Sequence, residues 1–285
     1  MPSRQIIGRR IRSVRNTRQI TKAMQMVAAS KLRRAQEAAL GPQAYTAAAR
    51  ELLVNLSGQP VVKRHPLLQV RKVQRRLAIV IAGDRGLAGG YNSNVIRVLG
   101  RAVREARGEY RVIAIGRRAA AALARARDVH EVASFEIEAG NAVTGIAAPA
   151  LEQIVRQFTD GEVDQVDLIT TEFISTVSQK VITRRLLPVE IPTGARPHGD
   201  AEMEPEAEEL VDEAIRRILT AELTQAILEA RASEQAARML AMMNATDNAD
   251  DIISDLTLVY NNVRQSGITQ QISEISAGAE AMAQT

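Results

Sequence analysis

Between Glu206 and about Met282 the chain contains no proline and only two glycines, Gly267 and Gly278. A run of this length without a breaker, at about 1.5 Å of rise per residue, predicts a helix of roughly 110 Å. That is far longer than a small domain is wide, so the helix must project. Pro205 and the carboxylates around it mark the start, because proline suits the first helical turn and negative charge is favoured at the positive end of the helix dipole. The predicted apolar stripe is Ile252, Leu256, Val259 and Val263 in 4,3,4 spacing, restarting as Ile268, Ile272, Ile275 and Ala279. The five-residue step between the two sets rotates the stripe, so its halves face different neighbours. Residues 241–251 are polar (Asn244, Thr246, Asp247, Asn248, Asp250, Asp251), which requires that part of the helix meet water or a polar sleeve.

A second helical pattern opens the chain. From Ser3 to Leu56, Ile7, Ile11, Val14, Thr21, Met24, Ala28 and Ala35 recur at or near helical steps, with a kink or break expected at Gly41-Pro42. The stripe is narrow, as a two-helix seam requires, whereas docking on a broad core needs a wider apolar face. The two terminal helices can bury their stripes against each other as an antiparallel coiled coil, or against a second copy of the chain.

From about Arg76 the texture changes to short β-rich runs alternating with helical ones. Strands are predicted over Leu77–Ala82, Tyr110–Ile115, Val129–Phe135, Val166–Thr171 and Gln179–Leu187, and helices over Asn92–Arg107, Arg117–Arg127 and Ala142–Phe158. Such alternation predicts a βαβ domain with a mostly parallel sheet. The short Ile174–Ser178 connection makes the last strand antiparallel, at an edge. The resulting organisation is a first helix over 1–57, a connector over 58–75, a central α/β domain over 76–190, a Pro/Gly linker over 191–205, and the long helix over 206–285.

Charge is segregated. Residues 1–34 hold ten bases and no acid, and residues 202–213 hold seven acids and no base. The Arg-rich opening has the composition of an organelle transit peptide, but its pattern continues into the long helix. No uninterrupted apolar run exceeds Leu77–Ala82, so any membrane association is expected to be peripheral. The absence of cysteine excludes disulfides and thiolate chemistry, and His65, His130 and His198 lie too far apart in sequence to suggest a metal site. No cofactor is expected.

One segment resembles a phosphate loop. Gly83-Asp84-Arg85-Gly86-Leu87-Ala88-Gly89-Gly90 lies between a predicted strand and a predicted helix, yet it fits neither the dinucleotide nor the Walker pattern, and no acidic residue follows Ile115-Gly116-Arg117 to hold a ribose. A tight structural turn is the simpler reading of Asp84, Arg85 and Gly86. No Ser-His-Asp set can be assembled. The basic first helix could neutralise phosphates, but no aromatic residues interleave to stack bases. A nucleotide-dependent enzyme and a nucleic-acid-binding protein therefore remain as alternatives to a structural subunit.

Longer motifs are more specific. The stretch from Ile11 to Leu32, IRSVRNTRQITKAMQMVAASKL, closely resembles the amino-terminal helix of the F-type ATP synthase gamma subunits. Ser233-Glu-Gln-Ala-Ala-Arg-Met, Ala245-Thr-Asp-Asn-Ala and Tyr260-Asn-Asn-Val-Arg-Gln-Ser-Gly-Ile-Thr-Gln resemble its carboxy-terminal helix, and Gly83–Gly90 its central-domain turn. The resemblance implies a long antiparallel coiled coil with a central Rossmann-like α/β domain. It also implies a non-catalytic rotor shaft inside alternating alpha and beta subunits, with a foot beside epsilon on the membrane c-ring. It places Lys22, Met24, Arg264, Gln265 and Thr269 in stretches that meet the head, although seam packing accounts for Met24 as well. Ala88 stands where many relatives have cysteine. With no cysteine pair, the dithiol switch of chloroplast relatives is not expected, and a bacterial protein on the cytoplasmic face of the membrane is.

Overall fold

The computed structural model describes residues 4–56, 60–106, 108–126, 129–137, 143–190 and 207–283. Helix α1 (Arg4–Leu56) is followed by a short α2 (Pro60–Arg64) and a 3-10 turn (Pro66–Leu68). Then come β1 (Arg75–Ile81), α3 (Tyr91–Glu105), β2 (Glu109–Ile115), α4 (Arg117–Leu123), β3 (His130–Phe135), α5 (Thr144–Thr159), β4 (Gln165–Phe173) and β5 (Gln179–Leu187). Helix α6 (Ala207–Ala283) completes the chain. The predicted linker at 191–205 and His198 lie outside the described residues.

The chain divides into two units, one formed by residues 28–238 and the other by residues 1–27 with 239–285. In the larger, the sheet has the order β3-β2-β1-β4-β5. β1 pairs in parallel with β2 and β4, β2 in parallel with β3, and β5 runs antiparallel to β4 at the edge, as the short connection requires. β1 is central and buried on both faces, so it reads as a continuous apolar run without polar alternation. Its odd-numbered side chains, Leu77, Ile79 and Ile81, pack with Ile154 and Phe158 of α5 and with Ile215, Leu219 and Ile227 of α6. Its even-numbered ones, Ala78 and Val80, pack with Val95 and Leu99 of α3 and Ala119 and Leu123 of α4. The period-two pleat thus divides one strand between two cores. Between Val211 and Arg238 most of α6 is buried, including Val211, Ile215, Leu219, Leu223 and Ile227, and only Glu213, Arg216 and Arg217 are exposed. This half of the predicted projecting helix is therefore a core element.

The smaller unit is an antiparallel helix pair within one chain. From α1 it buries Ile7, Ile11 and Thr21; from α6 it buries Met242, Thr246 and Ala249, with Ile253, Leu256, Tyr260 and Val263 half-buried or close to it. The α6 seam steps 4,3,4,3,4,3, a heptad repeat. This corrects one expectation and narrows another. Ile252 and Val259 point outward, 47% and 41% exposed, because the neighbouring Ile253 and Tyr260 take the seam. Of the kink or break expected at Gly41-Pro42, the break does not occur, since α1 is one helix from Arg4 to Leu56. A single proline removes one hydrogen bond, and the turns on either side of it sustain the helix.

Candidate functional site: an exposed helix pair and an anchored turn

The seam of the helix pair is held at three levels. Thr21 and Thr246 share a buried hydroxyl–hydroxyl hydrogen bond of 2.8 Å, and Thr246 also donates to the Met242 carbonyl. Arg18 reaches Asp250 at 2.5 Å, with both side chains about half exposed, so this pair contributes no more than about 1 kcal/mol. Arg4 donates to the Tyr260 hydroxyl at 2.8 Å and lies over its ring, and Gly8 leaves room for that ring at 3.8 Å from its notional Cβ. The polar stretch at 241–251 is resolved the same way: Thr246 is buried in the seam, while Asn244, Asp247, Asn248, Asp250 and Asp251 face outward.

Lys22 is exposed beside this seam, its ammonium donating to Gln25, and Met24 is half-buried. Arg264, Gln265 and Thr269 are exposed. The structure does not bring the two groups together: 19 residues of α6 separate Thr246, opposite Thr21, from Gln265, roughly 28 Å of helix. They form two stations along one rod. From 264 to 277 every residue of α6 is exposed, and Ile268, Ile272 and Ile275 present 48%, 59% and 73% of their surface. Unpartnered apolar residues in helical register signal a surface that another chain covers.

In the larger unit, the Gly83–Gly90 turn is pinned from both sides. Asp84 Oδ1 accepts from the backbone N–H groups of Arg117 (3.0 Å) and Ile137 (3.3 Å), tying the turn to the α4 amino terminus and the end of β3. The Gly83 N–H donates to Asn92, and Asn92 returns a bond to the Arg85 carbonyl. Glycine is needed in this corner: Gly116 has φ +101°, and a Cβ there would sit 2.1 Å from the Ala82 carbonyl oxygen. Arg85 itself is exposed, and the Gly86 carbonyl accepts from Arg238 of α6. A Cβ on Gly83 would meet Glu234 at 2.6 Å, so α6 occupies the space directly over the turn. In an open parallel sheet of this order, the crevice between the carboxyl ends of β1 and β4 is where ligands bind; here a helix fills it.

Buried Tyr91, at the start of α3, donates to the Ala230 carbonyl at 3.1 Å. Burial, reinforced by the Glu234 charge, drives its phenol far above the ordinary value and keeps it a neutral donor. Sequence reading passed over Tyr91 and quoted Glu234 and Arg238 within the motif from Ser233 to Met239 without giving them a role. The available signal was a Glu and an Arg four apart in a helix segment otherwise rich in alanine. No group of residues suited to hold a metal occurs among the described residues. His65 instead accepts from the Leu67 N–H to cap the 3-10 turn and lies 3.3 Å from Asp212.

An antiparallel helix pair in one unit, and in the other an α/β body whose ligand crevice a helix fills, define a protein of the coiled-coil plus α/β class. The profile of the family described as ATP synthase matches residues 3–282. The ATP synthase gamma chain of Desulfitobacterium hafniense is 40% identical over 99% of this chain and 100% of its own length. That of Acidithiobacillus ferrooxidans is 39% identical over 95% and 96%. The chain belongs to the ATP synthase gamma-chain family. Among solved structures, a chain in the Tetrahymena thermophila mitochondrial ATP synthase central stalk and c-ring matches with a TM-score of 0.63 at 25% identity, over 79% of this chain and 99% of that one. A chain from the Euglena gracilis mitochondrial ATP synthase shares the fold, with a TM-score of 0.67 at 18% identity over 98% and 94%.

Proposed function

We propose that this chain is the central rotor shaft of an F-type ATP synthase, a non-catalytic subunit that couples proton-driven rotation of the c-ring to conformational cycling of catalytic sites on the beta subunits. The observation that carries the reading is the outer surface of the helix pair. Bases such as Arg9, Arg12, Arg15 and Lys22 alternate with exposed Ile20, Val27 and, on α6, Ile268 and Ile272. A contact that must break at every step should be polar and divided, because a large dry patch would hold its partner too long. An asymmetric rod among identical partners cannot touch them equally, so each is biased toward a different conformation by differential contact energy. Turning the rod exchanges those states.

In this reading Lys22 and Met24 form one head-facing station and Arg264, Gln265 and Thr269 the second. The alpha and beta subunits are the partners of the helix pair, residues 1–27 with 239–285, and the 76–190 region, with Asp84, Arg85 and Gly86 in its turn, is the foot toward epsilon and the c-ring. No helix among the described residues is long and apolar enough to cross a membrane, which fits peripheral attachment through the ring, on the cytoplasmic face. The test mixes purified cognate alpha and beta subunits with and without this chain. Incorporation of one copy per hexameric head, with stimulated ATP hydrolysis, is expected; no incorporation and no change in turnover would overturn the reading. A second measurement addresses Met24→Lys: weakened ATP-driven proton pumping with an intact α/β body is expected, and undiminished pumping would remove Met24 from the head-facing set.

A further inference from the structure

The carboxyl edge of the sheet holds α6 by an interlock of hydrogen bonds. Thr170 donates to the Ala226 carbonyl at 3.3 Å, Tyr91 to the Ala230 carbonyl at 3.1 Å, and Ser233 returns a bond to the Thr171 carbonyl at 3.3 Å. One turn on, Arg238 donates through Nε and Nη2 to the Gly86 carbonyl at 3.4 and 3.3 Å, and through Nη2 to Glu234 at 2.5 Å. Glu234 and Arg238 are each only 8% exposed. Residues 226, 230, 233, 234 and 238 lie along one face of the helix.

We propose that this face is a rotational key: Glu234 and Arg238, seated against the Gly83–Gly86 turn, fix the angle at which α6 sits in the α/β body, so that torque on the body turns the helix without letting it roll. The inference rests on the rotor reading and adds the residues that carry the load. Apolar packing is non-directional, and between Leu228 and Arg238 the buried apolar residues of α6 are Ala230, Ala232 and Ala236, whose small side chains offer little to catch. Hydrogen bonds are directional. A roll of about 20° carries a group about 5 Å from the helix axis through roughly 2 Å, which takes a bond of ordinary length out of reach. Glu234, one turn before Arg238 on the same helix, orients the guanidinium toward the Gly86 carbonyl. Arg238 is the one α6 side chain in this set that ties the helix to the turn, and the turn is itself bonded to α4 and β3 through Asp84.

The experiment uses the complete enzyme in membrane vesicles, carrying Arg238→Ala, Arg238→Lys or Glu234→Gln, and measures ATP hydrolysis with an uncoupler present and protons pumped per ATP as the gradient builds. With the key removed, unloaded hydrolysis is expected to stay within about twofold. Protons pumped per ATP should fall about threefold under load in Arg238→Ala, with Arg238→Lys intermediate. A helix that is merely less stable would not lose coupling selectively as load rises. Equal pumping per ATP in all three variants at every load would overturn the proposal. Should Arg238→Ala fail to assemble, the size-preserving Arg238→Lys and Glu234→Gln carry the same comparison. Failure of the rotor reading would show separately, as an unsubstituted chain that neither joins the head subunits nor stimulates them.

Discussion

Strand β1 is inaccessible from Leu77 to Ile81, whereas α6 is exposed at every position from 264 to 277. One sequence thus builds a body with two dry cores and a helix pair with a seam only one or two side chains wide. The difference follows from what each has to do. A body that transmits load must not deform, and close packing of aliphatic side chains on both faces of a sheet gives it low compressibility. A helix pair that meets successive partners must be adequately stable while leaving most of its surface free, and its apolar residues Ile268, Ile272 and Ile275 lie outside its own core.

The largest test of this contrast is Phe158→Ala. Phe158 is fully buried between α5 and the sheet, with Arg71 over its ring and donating to its carbonyl. Removing it should destabilise the body by about 3–5 kcal/mol, read from the urea midpoint. A loss below about 1 kcal/mol would mean that the core relaxes more freely than close packing allows.

Asp164 gives a smaller, pH-dependent effect. Burial raises its pKa, but hydrogen bonds from the Gln74 and Arg75 N–H groups and the charges of Arg75 and Arg71 outweigh burial and hold it below the ordinary value. Since the folded value is depressed, the added stability is present above the unfolded value of about 4 and is lost as pH falls through the lower folded one. Asp164→Asn should lose about 1–3 kcal/mol at neutral pH and show a shallower acid limb between about pH 5 and 3. An acid limb as steep as that of the unsubstituted chain would contradict this assignment.

In the helix pair, Thr246→Val alone should cost about 0.5–1.5 kcal/mol by removing the Thr21–Thr246 hydrogen bond, since the Thr21 hydroxyl keeps the Arg18 carbonyl at 3.0 Å as an acceptor, and adding Thr21→Val should cost little more. A double-mutant cycle by thermal melting measures this; additive losses would show that the two hydroxyls do not act as a pair. Smallest of all, Ile272→Gln should shift the stability of the free chain by no more than about 0.5 kcal/mol. The same substitution should weaken assembly with the head subunits, and a stability loss above 1.5 kcal/mol would place Ile272 in a core of this chain.

Much of the architecture was legible because it rests on local signals. The freedom from breakers after Pro205 fixed the long helix, the alternation of β-rich and helical runs fixed the class of sheet, and the short 174–178 connection fixed the antiparallel edge. The turn at 83–90 was legible as a turn, since glycine at 83, 86, 89 and 90 leaves few alternatives. Its anchor was not, because Asn92, Arg117, Glu234 and Arg238 come from three other elements and no local pattern joins them.

By itself, then, the sequence determined which segments are helix and strand, their order, and the family, through motifs long enough to be specific. The tertiary structure alone decided where α6 changes from core to surface and which of its faces forms the seam. Adjacent residues of equal apolarity, such as Ile252 and Ile253, satisfy a helical period equally well. Only the position of α1, with Thr21 opposite Thr246 and Arg4 reaching Tyr260, selects between them, because burial is a property of the neighbour as much as of the residue.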